Sequence, residues 1–138
     1  MRPEKKPKSL LLPPAKTPED SIPLRFSFKY LDLYSNPKFA ITRCRDGYVE
    51  KFLCRLRDLS SLSVKDFRTN KSQSLKIHRI TWSETSEVPG FSSLNEQLRD
   101  EEAWQFHITK NEHGRVHGIS IDNTFFVVWI DPDHLLYT

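Results

Sequence analysis

The sequence is poor in residue types on which several large classes of protein depend. Among its 138 residues there are four glycines and two cysteines. Four glycines provide no glycine-rich phosphate loop of the kind that nucleotide-binding folds use. The two cysteines, Cys44 and Cys54, make neither a disulfide framework nor a four-cysteine zinc site, and we expect both to be reduced, mostly buried thiols.

Long apolar runs are also missing. No stretch approaches the roughly 20 apolar residues that span a bilayer. Near the start, three consecutive leucines (Leu10 to Leu12) are followed at once by Pro13 and Pro14. A secretory signal needs an apolar core of roughly 7–15 residues, so this run is too short. We therefore expect a cytoplasmic protein that does not associate with membranes.

Residues 1–21 differ in composition from the rest of the chain. Five of the nine prolines fall there, together with four lysines, one arginine and no aromatic residue. Such a segment buries too little apolar surface to offset its ordering entropy, which predicts a flexible tail. Residues 22–138 have a length that fits one hydrophobic core, and sixteen aromatic residues supply large surfaces for burial. We predict a single domain there.

The first half of this domain predicts two short strands followed by two helices. Residues 23–32 alternate apolar and polar side chains, which is typical of a half-buried strand. Residues 38–44 are rich enough in aromatic and β-branched residues to predict a second strand. Apolar residues at helical spacing predict a helix over residues 46–63, with Asp46 as its cap, and a short helix over residues 64–69.

The second half predicts a sheet. Strands are predicted over residues 75–82, 103–110, 114–121 and 124–130, with one helical turn in the connection between the first two. Asp122-Asn123 is a two-residue hairpin signal, and the last strand is apolar on both faces, which is typical of a central strand. The pattern predicts an α+β fold. A small antiparallel sheet with a C-terminal three-stranded meander would pack against one or two helices from the middle of the chain.

Histidine and arginine alternate along the sequence NEHGRVHG, which places His113, Arg115 and His117 on one face of a strand. If Thr109 pairs with Arg115, then His107 lies directly opposite His117. That register would allow these two imidazoles to hold a metal ion. His113 and His117 are roughly 13 Å apart on a strand, which is too far for one zinc ion. We predict no metal site, and a metal on His107 and His117 is the alternative.

These residue types suit the cleavage of RNA through its own 2′-hydroxyl group. The reaction needs a base, an acid and a cation for the pentavalent phosphate, and it needs no metal or other cofactor. Histidine titrates near neutral pH, and arginine binds phosphate bidentately. His134 directly follows a predicted strand, where Asp131 either orients it or caps a turn that returns the chain to the core. The predicted catalytic residues are His113, Arg115, His117 and His134, and the predicted substrate-binding residues are His78, Arg79 and His107.

Two resemblances bear on function. The block NEHGRVHGISIDNTFFVVWIDPDHLLY, with SQSLKIHRITW upstream, resembles a set of small bacterial proteins that have no assigned function, over about Leu24 to Tyr137. More loosely, the size, the net charge of +3 and the order of helices before a sheet are similar to RelE-like toxin endoribonucleases. That resemblance implies an RNA substrate and an antitoxin as protein partner. The sequence differs from those toxins in its N-terminal segment and in TFFVVWI, which replaces an arginine- and tyrosine-rich last strand.

Two functions follow as expectations. The first is RNA binding or RNA cleavage, the latter as a metal-independent endoribonuclease of the toxin type. The second is a non-catalytic protein–protein interaction module, for example in a toxin–antitoxin or mobile-element system, whose tail or exposed strand edge adds to a partner. An enzyme should have a histidine whose pKa is shifted by its neighbours in a cleft. An interaction module should have scattered, exposed histidines and an apolar patch elsewhere.

Overall fold

The computed structural model describes residues 22–73, 75–109 and 114–137. The predicted tail and His113 lie outside these ranges. The strands are β1 (Arg25–Ser27), β2 (His78–Arg79), β3 (Glu102–His107), β4 (Arg115–Ile121) and β5 (Thr124–Asp131). The helices are α1 (Tyr48–Leu59) and α2 (Val64–Thr69), both between β1 and β2, and α3 (Glu96–Arg99), which precedes β3. Short 3₁₀ turns cover Pro37–Phe39, Ile41–Arg43 and Trp82–Glu84.

The five strands form one mixed sheet in the order β1-β5-β4-β3-β2. Strands β3, β4 and β5 make the predicted antiparallel meander, and Asp122 and Asn123 form the turn between β4 and β5. Strand β1 pairs with β5 in parallel, with Arg25 opposite Thr124. Strand β5 therefore lies inside the sheet, as its apolar residues on both faces predict. The predicted α+β fold is confirmed, with this parallel pair as an addition.

The sheet has two buried faces. On the first face, α1 and α2 contribute Phe52, Leu56 and Phe67 to a core with Phe106 and Phe125 of the strands. The second face is covered by the first 3₁₀ turn, the connection before β3 and the residues after β5. Its core contains Phe39, Ile80, Phe91, Leu94, Trp129 and Leu136. Because side chains alternate along a strand, Gln105 and His107 of β3 and Arg115 and His117 of β4 fall on this second face.

The predicted strand over residues 38–44 is wrong. Two 3₁₀ turns occupy this segment, and Ala40, the residue between them, has extended backbone angles. Asn36 starts the first turn, because its side chain accepts a hydrogen bond from the Lys38 amide at 3.0 Å. Pro37 follows it in the first turn position, where the fixed φ of proline suits a helical turn. Local turn chemistry therefore prevails over the strand preference of the residues that follow.

Three predicted boundaries also differ from the structure. The strand predicted over residues 23–32 extends only over β1, because the Leu31 amide donates to the Phe28 carbonyl and turns the chain. The strand predicted over residues 75–82 extends only over β2, which is followed by a 3₁₀ turn. Helix α1 begins after Gly47, whose φ is +83°, and Asp46 does not cap it. The short helix α2 begins as predicted, with Ser63 as its cap.

Gly118 lies where the register between β4 and β5 shifts, and the packing there excludes a side chain. A Cβ atom at Gly118 would lie 2.2 Å from the Phe126 carbonyl oxygen and 2.5 Å from the Phe125 ring. We expect Gly118→Ala to lower the free energy of unfolding by about 3 kcal/mol in urea titrations. Gly47→Ala is the control, because its Cβ would meet nothing within 4 Å and only the φ of +83° opposes alanine. It should cost about 1 kcal/mol. Equal losses would contradict the steric explanation.

Candidate functional site

The predicted row of polar residues is present on the second face, but in a different register. Arg115 lies opposite His107, and His117 lies opposite Gln105. The register in which Thr109 would pair with Arg115 and His107 would lie opposite His117, which the sequence left open, is therefore not the one that forms. Arg115 pairs with a residue of β3 that lies two positions before Thr109. A shift of two residues leaves each side chain on the same face, but it separates His107 from His117. Within the described ranges, no three His, Cys, Asp or Glu side chains are grouped so that they could hold a metal ion.

His117 and Asp131 form a buried pair on this face. Each side chain is 0% exposed, and His117 Nε2 lies 3.0 Å from Asp131 Oδ2. Asp131 also accepts hydrogen bonds from the backbone amides of Leu135, at 2.8 Å, and Leu136, at 3.0 Å. The interpretation of Asp131 as the cap of a turn is confirmed, because Leu136 is fully buried in the core of the second face. Asp131 thus connects β4 to the residues that follow β5.

The pair consists of a carboxylate and a neutral imidazole at neutral pH. Burial lowers the pKa of His117, although its hydrogen bond to Asp131 favours the charged form. Burial by itself raises the pKa of Asp131, but the hydrogen bonds from His117, Leu135 and Leu136 outweigh burial and lower it. A carboxylate requires a proton on His117 Nε2, so His117 Nδ1 carries a lone pair.

The other end of the row is also buried. His107 is 7% exposed and Arg115 is 8% exposed. Burial, followed by the positive charges of Arg115 and Lys76, lowers the pKa of His107 to about 3. Burial also raises the pKa of Tyr48, whose ring packs over Gly114. At neutral pH this end therefore combines a neutral imidazole, a phenol and a guanidinium group.

The structure brings three of the predicted site residues together in this row, namely His107, Arg115 and His117. His134 lies in the turn after β5, with a φ of +56°, and its charge is close enough to affect the pKa of His107. His113 lies outside the described residues. Because His117 is fully buried, it cannot contact a substrate in this conformation. Any role of His117 in a reaction would be to position other groups.

A pocket of 410 Å³ lies at the edge of the sheet along β2. Residues of α2, of β2 and of the connection between them form its wall, together with Trp104 of β3. Basic side chains dominate this lining: Arg68, Lys71, Lys76, His78 and Arg79. None of the described residues that line the pocket carries a carboxylate. The predicted substrate-binding residues His78 and Arg79 therefore both line a basic cavity, with their side chains on opposite faces of β2.

Glu102, at the start of β3, partly balances these charges. Its carboxylate lies 3.7 Å from Arg68 Nη2 and 3.9 Å from Arg79 Nη1. The Arg79 guanidinium also lies over the Trp104 ring, 5.8 Å from its centre. Both ion pairs are long and partly exposed to solvent, so each contributes little to stability. Glu102 contacts two of the basic side chains, Arg68 and Arg79, and no acidic residue is among the described residues that line the pocket, so this lining has a net positive charge.

His78 connects this pocket to the buried pair. It lies opposite Gln105, which in turn lies opposite His117. His78 Nδ1 is 2.8 Å from the Arg79 carbonyl oxygen and must donate to it, while His78 Nε2 is 3.0 Å from Gln105 Nε2 and must accept from it. We call the series His78, Gln105, His117 and Asp131 the polar ladder. It crosses β2, β3, β4 and β5 in that order.

Reasoning from sequence missed four residues of the site, namely Arg68, Lys71, Lys76 and Gln105. Both lysines lie in the sequence NKSQSLKIHR. A strand predicted over residues 75–82 gave no indication that Lys71 and Lys76 line the same pocket. Gln105 shares a face with His107, which the alternation of β3 already indicates. Its pairing with His78 depends on the contact between β2 and β3, which no local pattern predicts.

Comparisons of the chain with models of protein families, with curated proteins and with solved structures found no match. Within the described ranges, none of the helices is both long enough and apolar enough to cross a membrane. The resemblance to RelE-like toxins stays a prediction. The function is therefore inferred from the basic pocket and from the polar ladder beside it.

Proposed function

We propose that this protein binds RNA through the basic pocket along β2. The supporting observation is that Arg68, Lys71, Lys76 and Arg79 line one cavity, with Glu102 as a nearby counter-charge for Arg68 and Arg79. Contacts of arginine and lysine with phosphate supply much of the affinity of proteins for nucleic acids. A volume of 410 Å³ lies within the range of small-ligand sites, so one nucleotide and its phosphate fit inside.

Removing one basic side chain should weaken binding and lower its dependence on salt. A labelled single-stranded RNA of about 12 nucleotides suits a site of this kind. Each phosphate contact contributes about 0.7 to the slope of log affinity against log salt concentration for single strands. We expect Arg79→Ala and Lys76→Ala each to reduce the slope by about 0.7, as measured by fluorescence anisotropy from low to moderate salt.

Arg25→Ala is the matched control for Arg79→Ala. Both arginines are exposed and lie on edge strands, but β1 and β2 are at opposite edges of the sheet. Arg25→Ala removes the same charge and should leave the salt slope unchanged. If Arg25→Ala and Arg79→Ala lower the slope equally, RNA is attracted by the overall charge and not by the pocket. The proposal then fails.

The same samples also test the narrower proposal of a metal-independent endoribonuclease. His107 and His117 are buried and neutral, so we assign them to the stability of the second face. His78 is the exposed imidazole of the pocket, and it is the group that would transfer a proton during cleavage. Cleavage of RNA in the presence of EDTA, lost in His78→Ala, would extend RNA binding to catalysis. Intact RNA across pH 5–8 would limit the function to binding.

A protein–protein interaction module is the second candidate. Helix α1 exposes Val49 and Leu53 one turn apart, and Phe28 beside them is also exposed. The Phe28 ring contacts that of Phe52, which places it against the same helix. The variant Val49→Ser/Leu53→Ser separates the two candidates. It should retain RNA binding under the first proposal, and it should lose an antitoxin-like protein partner under the second.

A further inference from the structure

The carboxylate of Glu102 lies between two arginines that come from different elements of the fold. Its Oε1 atom is 3.7 Å from Arg68 Nη2 of α2, and its Oε2 atom is 3.9 Å from Arg79 Nη1 of β2. Charge-assisted hydrogen bonds between nitrogen and oxygen are about 2.7–2.9 Å long, so both ion pairs are loose. Two guanidinium groups that line the basic pocket thus converge on one anionic group beside it.

The surrounding residues fix this position at the edge of the sheet. Trp104 Nε1 donates a hydrogen bond to Glu102 Oε1 at 3.2 Å, and Arg79, which pairs with Trp104, lies over its ring. Arg68 Nη2 lies 3.5 Å from Oγ of Ser120, the residue opposite Glu102 on β4. Glu102 and Trp104 are two residues apart on β3, so both side chains point to the first face. The carboxylate and the two guanidinium groups therefore meet on that face.

A phosphate from solvent can take the place of this carboxylate, because all three side chains are accessible. The exposed fractions are 26% for Arg68, 44% for Glu102 and 56% for Arg79. A phosphodiester within an RNA strand carries one negative charge, so it replaces the carboxylate without a gain in charge. A terminal phosphate monoester carries about 1.5–2 negative charges at pH 7 and has three acceptor oxygens. The exchange therefore favours the end of a strand.

The size of the pocket favours the same ligand. Its volume of 410 Å³ accommodates one nucleotide. A terminal nucleotide has one connection to the strand, which can leave through the opening by which the nucleotide entered. An internal nucleotide requires the strand to bend into the cavity and out again. Lys71 and Lys76 also line the cavity, and they add positive charge around the bound end.

We propose that the pocket binds the phosphorylated end of an RNA strand, and that the terminal phosphate replaces the Glu102 carboxylate between Arg68 and Arg79. This inference rests on the proposed RNA-binding function and specifies its ligand. The 5′ end and the 3′ end can both carry such a phosphate, and the chemistry is the same for the two. Glu102 determines specificity, because its single charge offsets the attraction of an internal phosphodiester but only part of the attraction of a terminal phosphate.

The first test compares three forms of one RNA of about 12 nucleotides, labelled on an internal base and measured by fluorescence anisotropy at constant salt. One form has a 5′-phosphate, one has a 3′-phosphate, and one has hydroxyl groups at both ends. We expect at least one phosphorylated form to bind about fivefold more tightly than the hydroxyl form, the upper end for one partly exposed charge pair. The form that binds more tightly identifies the end that the pocket takes.

The preference for a phosphorylated end should be lost in Arg79→Ala and retained in Arg25→Ala, which removes the same charge at the opposite edge of the sheet. Equal affinity for the three forms, or an equal preference in the two variants, would overturn the inference and leave the RNA proposal intact. Absence of binding by all three forms would reject both.

Glu102→Gln tests the exchange itself. The glutamine amide has the shape of the carboxylate and can still accept a hydrogen bond from Trp104, but it carries no charge. We expect the variant to bind all three forms about threefold more tightly than the wild type. Glu101→Gln removes the same charge from the preceding residue, which is exposed, and it should have little effect. Weaker or unchanged binding in Glu102→Gln, or an equal gain in both variants, would contradict the exchange.

The indole N–H of Trp104 reports the exchange directly, because its acceptor is Glu102. Saturation with the phosphorylated RNA should shift its signal in nitrogen-15 spectra. The indole signals of Trp82 and Trp129 serve as internal references, since both residues belong to the core of the second face. An unchanged Trp104 signal in the RNA complex would show that the carboxylate stays in place, and the exchange would be rejected.

Discussion

Asp131→Ala should lower the free energy of unfolding by about 4 kcal/mol, because removing one partner of a buried ion pair or charged hydrogen bond is costly. The side chain is fully buried and accepts three hydrogen bonds. Its loss leaves His117 Nε2 and the backbone amides of Leu135 and Leu136 without their acceptor. Each such group carries a desolvation cost when it stays buried.

The measurement is urea unfolding at pH 7.5, followed by tryptophan fluorescence. Asp133→Ala is the matched control, two residues away. Asp133 pairs with Arg43 at 3.1 Å and with Arg45 at 2.9 Å, but the Arg45 side chain is 75% exposed. Exposed pairs contribute less than about 1 kcal/mol. If the two variants lose a similar free energy of unfolding, burial does not make the hydrogen bonds of Asp131 more important to stability than the exposed pairs of Asp133. That result would contradict our account of the second face.

Acid should destabilise the protein between about pH 6.5 and pH 3, and His107 should account for a large part of the loss. The pKa of His107 falls from 6.5 to about 3 on folding. The unfolded chain therefore binds more protons in this interval, and stability decreases as the pH falls. A single group with this change costs about 2.7 kcal/mol between neutral pH and pH 4.5. His117, whose pKa is also lowered, acts in the same direction.

Urea titrations at a series of pH values would measure this loss. In His107→Gln the side chain no longer titrates, so the fall in stability between pH 7.5 and pH 4.5 should be smaller by about 2.7 kcal/mol. His78→Gln is the control for the removal of an imidazole, and it should keep the acid sensitivity because His107 is still present. If His107→Gln loses as much stability in acid as the wild type, the buried imidazole is not its source.

Local sequence patterns predict the individual strands and helices of this fold better than they predict which strands pair with each other. The alternation of β3, the two apolar faces of β5 and the helical spacing of α1 are all properties of neighbouring residues, and the structure confirms them. The 3₁₀ turn that begins at Pro37 depends on hydrogen bonds that a propensity does not describe. The pairing of β1 with β5 joins residues that are far apart in sequence, and no local pattern contains that information.

The candidate site depends even more strongly on distant contacts. The row that contains His107, Arg115 and His117 has the composition of an exposed face, which suggested catalysis. It is buried, with the rings of Phe39 and Trp129 against His117, and burial lowers the pKa of both histidines. The basic pocket needs β2 to pair with β3, which brings residues from both sides of that pairing together. Sequence reasoning selected His78 and Arg79 individually but not the cavity that they share.

The position of β5 has a consequence for how the protein is made. Strand β1 is synthesised before β5, the strand with which it pairs in the described sheet, and β5 emerges from the ribosome about a hundred residues later. Helices α1 and α2 also pack on a core that includes Phe125 and Val127. Contacts between such distant segments slow folding and leave apolar surface uncovered in the meantime. The core that α1 and α2 share with β5 can therefore form only after β5 has been synthesised.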